Sequence, residues 1–242
     1  VKPLADWPTL PFAGPVLQAV QAATGGVLLR TQRGLWSSAD GAKPWYALST
    51  SLGDDVVLMD GGSSAVAHAQ GVSVITCVAS TCDQTLVATL NPDCGTTVTS
   101  GWMDATGSVV VGCGSGLFTG VALNGVPPAP LTRETSVQGR VVALAGWNGF
   151  VGAATAEKLH WRRPDGWWWE WVSRGDASTC GDDYWGGAVE GVPTTLSFDA
   201  GYGSGGGLWL GHSRGVQALD VVSGELRRMG PITDGLPVTN VS

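Results

Sequence analysis

Three side chains able to ligate a metal, His68, Cys113 and His212, each stand five residues after a small residue that opens an apolar run: Ser63, Ser108 and Gly207. Imidazole and thiolate are ordinary zinc donors, so the shared spacing raises a metal reading that depends on how those runs are arranged. Gly201 to Gly206 has the G-x-G-x-x-G spacing of a dinucleotide loop. An apolar run of strand type follows it, whereas a pyrophosphate needs a helix N-terminus. Asp54-Asp55 and Asp182-Asp183 are adjacent acids. Neighbouring strand residues point to opposite faces and loop acids are normally solvated, so an acid pair for glycoside chemistry stays an alternative that the spacing does not support. The reading expects no serine-nucleophile elbow and no calcium loop, and hence no catalytic, metal or cofactor residue.

Two segments carry binding chemistry instead. Trp167-Trp168-Trp169-Glu170-Trp171 alternates, which puts Trp167, Trp169 and Trp171 on one strand face as packing surface or as an aromatic platform for a sugar or a protein. The segment from Ser173 to Val192 holds Arg174, Asp176, Asp182, Asp183, Tyr184 and Trp185. It is longer than its counterparts elsewhere in the chain, and long loops carry function more often than core does. Its Arg174-Gly175-Asp176 triplet also matches an adhesion tripeptide. Five cysteines stand at 77, 82, 94, 113 and 180, none in a C-x-x-C pair. Cys77 and Cys82 flank a four-residue loop and are expected to form a disulfide. The pairing of Cys94, Cys113 and Cys180 is left open, and buried free thiols are the alternative to disulfides.

The elements that position these residues repeat. Gly207 to Asp220, Gly26 to Trp36 and Ser108 to Phe118 share a small residue, an apolar run, a polar turn, a Gly eight positions on, and a second apolar run. That pattern describes a tight hairpin of two buried strands. Degenerate copies begin at Ser63 and at Gly149, the last with Glu157 in the place of the second Gly. Leu10-Pro11 and Gly235-Leu236-Pro237 mark the same phase five repeats apart. Repeats of about 40 to 50 residues with several short strands are the signature of a β-propeller. The expected fold is therefore all-β, with four-stranded blades at about 16–50, 55–90, 96–133, 140–172 and 194–230 in one domain of residues 1–242, and a sixth blade opening at 238. On such a ring His68, Cys113 and His212 sit in separate blades and do not converge. His160 is expected in an outer strand.

Leu208-Trp209-Leu210-Gly211, Gly215-Val216, Asp220, Gly235-Leu236-Pro237 and Asn240-Val241 together resemble the two-component-regulator propeller repeat. The resemblance is close at 207–242, weaker at 26–36 and 108–118, and implies a propeller rather than a single function, since the family occurs in sensor ectodomains and in diverse secreted proteins. Because Val238–Ser242 repeats the start of a blade, the chain is expected to belong to a larger ring.

Composition narrows the partners. Hydrophobic residues make up 43% and charged residues 14% of the chain, enough for a large packed core. The 37 glycines fit a turn-dense all-β chain. A net charge of −7 without a basic cluster argues against nucleic acid. No apolar window reaches the length of a membrane span; the best, Val141–Ala156, is interrupted by Trp147-Asn148-Gly149. A disulfide implies an extracellular or luminal site, and Asn240-Val241-Ser242 matches the glycosylation tripeptide at Asn240. The expected function is a non-catalytic interaction propeller that binds protein or glycan through one rim. A carbohydrate lyase or hydrolase and a ligand-sensing receptor ectodomain are the alternatives.

Overall fold

A computed structural model describes residues 15–21, 26–32, 34–38, 45–48, 56–59, 61, 64–78, 81–95, 97–122, 126–164, 166, 168–172, 189, 191–202 and 205–229. It is a five-bladed β-propeller. Blade 1 holds β1 (Val16–Gln21), β2 (Val27–Thr31), β3 (Gly34–Ser38) and β4 (Tyr46–Ala47). Blade 2 holds β5 (Val57–Leu58), β6 (Ala65–His68), β7 (Gly71–Val78) and β8 (Thr81–Thr89). Blade 3 holds β9 (Val98–Met103), β10 (Ser108–Cys113), β11 (Gly116–Val121) and, after a detour through β12 (Ala129–Pro130), β13 (Thr132–Gln138). Blade 4 holds β14 (Val141–Trp147), β15 (Phe150–Thr155), β16 (Lys158–Arg162) and β17 (Trp168–Val172). Blade 5 holds β18 (Pro193–Asp199), β19 (Gly207–His212), β20 (Gly215–Asp220) and β21 (Leu226–Met229). Within each blade, neighbouring strands are antiparallel. The strands of each blade are called A to D outward from the first.

The expected blades at 16–50, 55–90, 140–172 and 194–230 agree with these bounds. The third differs. Its outer strand runs to Gln138, beyond the expected end near 133. The cause is β12, which leaves its own blade and pairs in parallel with β8 of blade 2, Ala129 opposite Ala88 and Pro130 opposite Thr89. Leu131 N–H then donates to Thr89 C=O at 2.9 Å. The phase of blade 4 also shifts by one residue. Thr155 and Lys158 flank its B–C turn, so Lys158, not Glu157, takes the place of the repeat Gly. His160 lies in β16, the third strand, with β17 outside it. The start of a sixth blade at 238 lies outside the described residues.

The repeat Gly has a backbone reason. Gly34, Gly71, Gly116 and Gly215 open the C strands of four blades with φ between +129° and +151°. Side-chain-bearing residues rarely adopt that conformation. A Cβ on Gly71 would also run into the carbonyl of Ala88.

Among the described residues, buried apolar side chains form four clusters, one between each successive pair of blades from 1 to 5. Leu28 and Leu35 meet Leu58 and Val66 between blades 1 and 2. Met59 and Ala67 meet Val109 and Val111 between blades 2 and 3. Trp102 and Leu117 meet Val141 and Val151 between blades 3 and 4. Leu159 and Trp161 meet Leu208 and Leu219 between blades 4 and 5. Polar staples join the inner strands. The Gln18 amide both donates to Leu58 C=O at 2.8 Å and accepts from Leu58 N–H at 2.9 Å, standing in for a missing strand partner on β5. Thr99 Oγ1 donates to Val141 C=O at 2.6 Å, joining β9 to β14.

Candidate functional site

Because strands alternate in direction, the A–B and C–D turns of all blades share one rim. The B–C turns and the links between blades share the other. Each candidate residue belongs to one of these rims or to a blade face.

The row that raised a metal reading is a row of turn caps. Thr31, His68, Cys113, Thr155 and His212 all end B strands and are all buried. Their polar atoms serve the B–C turn beside them. Thr31 Oγ1 donates to Gly34 C=O at 3.1 Å. Thr155 Oγ1 accepts from Lys158 N–H at 3.0 Å. His68 Nδ1 accepts from Gln70 N–H, and His212 Nδ1 accepts from Arg214 N–H at 3.2 Å. Cys113 differs: it forms a disulfide to Cys94, with Cα atoms 5.4 Å apart. Cys94 lies in the short 3₁₀ turn Pro92–Cys94, which Asn91 caps through a 2.9 Å bond from Asp93 N–H. The bridge fastens the link between blades 2 and 3 to the B–C turn of blade 3. Among the described residues no group of three His, Cys, Asp or Glu side chains is placed to hold a metal.

Two apparent nucleophiles are likewise structural. His68 Nε2 lies 2.8 Å from Ser73 Oγ, and both residues are buried. Since Nδ1 already accepts from Gln70, Nε2 carries the proton and donates to the hydroxyl. Ser73 Oγ also accepts from Gln84 Nε2 at 3.1 Å. An imidazole that presents its proton is no base toward that serine. Burial holds the His68 pKa below the ordinary 6.5, which keeps the ring neutral. The expected absence of a nucleophile elbow needs correcting at the level of sequence: Gly211-His212-Ser213-Arg214-Gly215 does have the G-x-S-x-G spacing. It lies, however, on a strand–turn–strand hairpin between β19 and β20, not on the strand-to-helix turn an elbow requires. Ser213 Oγ there accepts from Val192 N–H at 3.1 Å.

Acids on the A–B and C–D rim are also committed to turns. Asp104 accepts from Thr106 N–H, Thr106 Oγ1 and Ser108 N–H. Asp199 accepts from Gly201 N–H. Asp220 accepts from Val222 and Ser223 N–H groups, and those bonds, Ser223's first, hold its pKa below the usual carboxylate value. A cavity of about 440 Å³ lined by Arg133, Thr135, Gln138 and Gly139 opens beside β13. Arg133 there donates to Ser115 C=O at 2.9 Å.

One exposed surface is not accounted for by turns or core. Trp147 ends β14 and is 54% exposed. The two-residue Asn148-Gly149 turn, with φ of +50° and +87°, presents it at the rim. Its ring stacks on Phe198 of blade 5, with centroids 6.3 Å apart and planes 15° from parallel. Gly149 lies against Pro164 of the C–D turn, and Arg163 Nη2 beside it donates to Val222 C=O of blade 5 at 2.6 Å. Val222 is 49% exposed. Glycines 205 and 206 bring the backbone against Val222 and Phe198 respectively. Trp147, Phe198, Pro164 and Val222 thus form an apolar, partly aromatic surface across blades 4 and 5. The sequence carried a signal for it, an Asn-Gly turn directly after a Trp, which had counted only as an interruption of an apolar window.

The same rim carries a projecting hairpin. Past Ile75, whose N–H reaches Ser64 C=O at 2.7 Å, the tip halves of β7 and β8 pair, among the described residues, only with each other. Cys77 and Cys82 are direct register partners near its tip. Trp169 and Trp171 stand in register with Trp161 and Leu159, both buried in the core between blades 4 and 5. Trp168, on the other face, lies under the Arg162 guanidinium, 5.5 Å from the ring centroid. Trp167, the loop residues Arg174, Asp176, Asp182, Asp183, Tyr184 and Trp185, and Asn240 lie outside the described residues. The described strands β17 and β18 end and begin, respectively, on the rim opposite Trp147.

No family model and no curated protein matches the chain. Solved structures do. The chain is similar to "YCF48 bound to D1 peptide" at 13% identity and a TM-score of 0.56, over 93% of this chain and 70% of that one. It is similar to the extracellular domain of a hybrid two-component system from B. thetaiotaomicron at 15% identity and a TM-score of 0.58, over 86% of this chain but 28% of that one. It is also similar to BBS1N in complex with ARL6DN at 11% identity and a TM-score of 0.52, over 86% and 64%. These likenesses establish the propeller fold. No helix among the described residues is long and apolar enough to cross a membrane.

Proposed function

We propose that this protein is a non-catalytic propeller of an oxidising compartment that binds a peptide or protein segment on the rim of its A–B and C–D turns. The observation that carries this reading is the Trp147–Phe198 stack with its apolar border. A half-exposed Trp on a rigid two-residue turn loses little side-chain freedom on binding, and Trp is enriched among residues that dominate interface energy. Fold neighbours captured with a peptide and with a protein partner support the reading at the level of architecture. The commitment of Ser73, Asp104, Asp199 and Asp220 to structural bonds supports a non-catalytic role. The Cys94–Cys113 bridge supports the compartment.

The test is peptide display on the immobilised protein, followed by affinity measurement of the enriched peptides. Trp147→Ala is expected to weaken them at least tenfold while the unfolding midpoint stays within a few degrees. The loop residues Arg174, Asp176, Asp182, Asp183, Tyr184 and Trp185, and the tract Trp167, Trp169 and Trp171, form the rival arm. Peptides that ignore the rim variant and are lost on changing the rival arm would move the site there. A sugar ring also stacks on exposed aromatic faces, so the Trp147→Ala variant is also read on a glycan array. Glycans retained by the native protein alone would make the ligand a carbohydrate.

A further inference from the structure

The run Val126-Pro127-Pro128-Ala129-Pro130 lies between β11 and β13, and all five residues are exposed, Val126 by 53%. Each of the three prolines fixes its own φ. Val126, Pro127 and Ala129 each precede a proline, which drives them to extended backbone as well. Every position in the run therefore carries at least one such constraint. The C-terminal end is fastened. Ala129 and Pro130 form β12 against β8. Leu131 N–H donates to Thr89 C=O at 2.9 Å, and its side chain, 1% exposed, sits in the core between blades 2 and 3. Protection of a sheet edge accounts for Pro130, which stands in β12 and has no N–H to offer a further strand. It does not account for Val126, Pro127 and Pro128, which precede the paired residues.

A segment held this way is a preformed ligand of the polyproline type. It displays apolar rings and carbonyl acceptors and has little freedom left to lose on binding. Segments with Pro at positions one and four, as at Pro127 and Pro130, dock on aromatic surfaces. This molecule carries such a surface, the half-exposed Trp147 stacked on Phe198 and bordered by Pro164 and Val222. An indole offers a flat apolar face and an N–H donor, which complements a chain rich in free carbonyls and poor in N–H groups. We propose that copies of this protein associate by docking the Val126–Pro130 segment of one on the Trp147–Phe198 surface of the next. The segment is fastened to blade 2 and the stack spans blades 4 and 5, so the contact forms between copies. The inference takes the rim reading as its premise and names the segment bound there. The interface is heterologous: each bound copy still has one free segment or one free patch, and association continues head to tail. A contact this small is transient.

The experiment is analytical ultracentrifugation over rising concentration. The average mass of the native protein should grow past that of a dimer. Trp147→Ala should weaken association at least about tenfold, as loss of a central interface Trp does. Pro127→Ser with Pro128→Ser should do the same, although neither proline belongs to the core. Each variant keeps one intact half of the contact. An equimolar mixture of the two should therefore form a dimer with one of each and stop there. A synthetic Val126–Leu131 peptide gives a second reading: it should dissociate the native protein and bind it, but not Trp147→Ala. A native protein that stays monomeric at its highest soluble concentration would overturn the proposal. So would association that the proline variant leaves unchanged, or a mixture that stays monomeric while the native protein associates. Display-selected peptides lost on Trp147→Ala, alongside native-like association of the proline variant, would overturn this inference and leave the rim reading standing.

Discussion

At the scale of single residues, one position per blade anchors the end of a B strand with three chemistries: hydroxyl and imidazole tie it to its own turn, and a disulfide ties it to the link from the preceding blade. The His68 copy makes stability depend on pH. Its folded pKa lies below the ordinary 6.5 because burial disfavours the charged ring. Below pH 6.5 the unfolded chain therefore binds a proton that the folded chain refuses. Its contribution is complete above 6.5 and is lost as pH falls, until the folded value is passed and the slope levels. Denaturant titrations between pH 7.5 and 5 should show that decline, and His68→Gln should flatten it. The Cys113 copy closes a loop to Cys94, 19 residues away. Cys94→Ser with Cys113→Ser should lower stability by about 3 kcal/mol, and reductant should destabilise the native protein but not the double variant. The spacing of this row was legible in the sequence. Its role was not, because the partners of the Thr and His members are main-chain N–H and C=O groups that no residue type reveals.

At the scale of strands and turns, the repeat Gly and the hairpin tips decide the shape. Gly71→Ala is expected to cost about 2 to 4 kcal/mol, since it combines a strained φ with a clash against the Ala88 carbonyl; the shift of the urea midpoint checks it. The projecting β7–β8 hairpin carries Cys77 and Cys82 as facing partners. Peptide mapping without reduction should recover them linked, and finding both alkylated as free thiols would refute the pairing. Hairpins were legible because small residues, apolar runs and Gly recur at fixed offsets. The single-residue slip in blade 4 arose where Lys158 replaces Gly and the Thr155 hydroxyl closes the turn instead. The β12 detour was illegible because Ala129-Pro130 is too short to show a strand period.

At the scale of the whole molecule, the propeller was readable from its period, and the exposed aromatic surface across blades 4 and 5 was not. Trp147 and Phe198 are 51 positions apart in sequence and meet only because adjacent blades bring two A–B turns together. No local pattern encodes that meeting, whereas the Trp tract and the long loop drew notice by being locally unusual. Covering the rim patch should also change how the protein behaves at high concentration. Trp147→Arg is expected to reduce self-association in light scattering without moving the unfolding midpoint, since an exposed apolar patch favours sticking. A midpoint lowered by several degrees would instead show that Trp147 belongs to the core.

The pairing of β12 with β8 has a bearing on how the chain is made. Blade 2 has its own four strands once Thr89 has been synthesised, but its outer edge is left uncapped. The capping residues, Ala129 and Pro130, are translated 40 positions later. At about 5 to 20 residues per second, the nascent β8 edge stands open for roughly 2 to 8 s. During that interval it offers unpaired backbone groups to any other extended chain nearby. Blade 3 therefore caps its predecessor before it completes itself, and a ribosome paused between these two points would prolong the exposure of that edge.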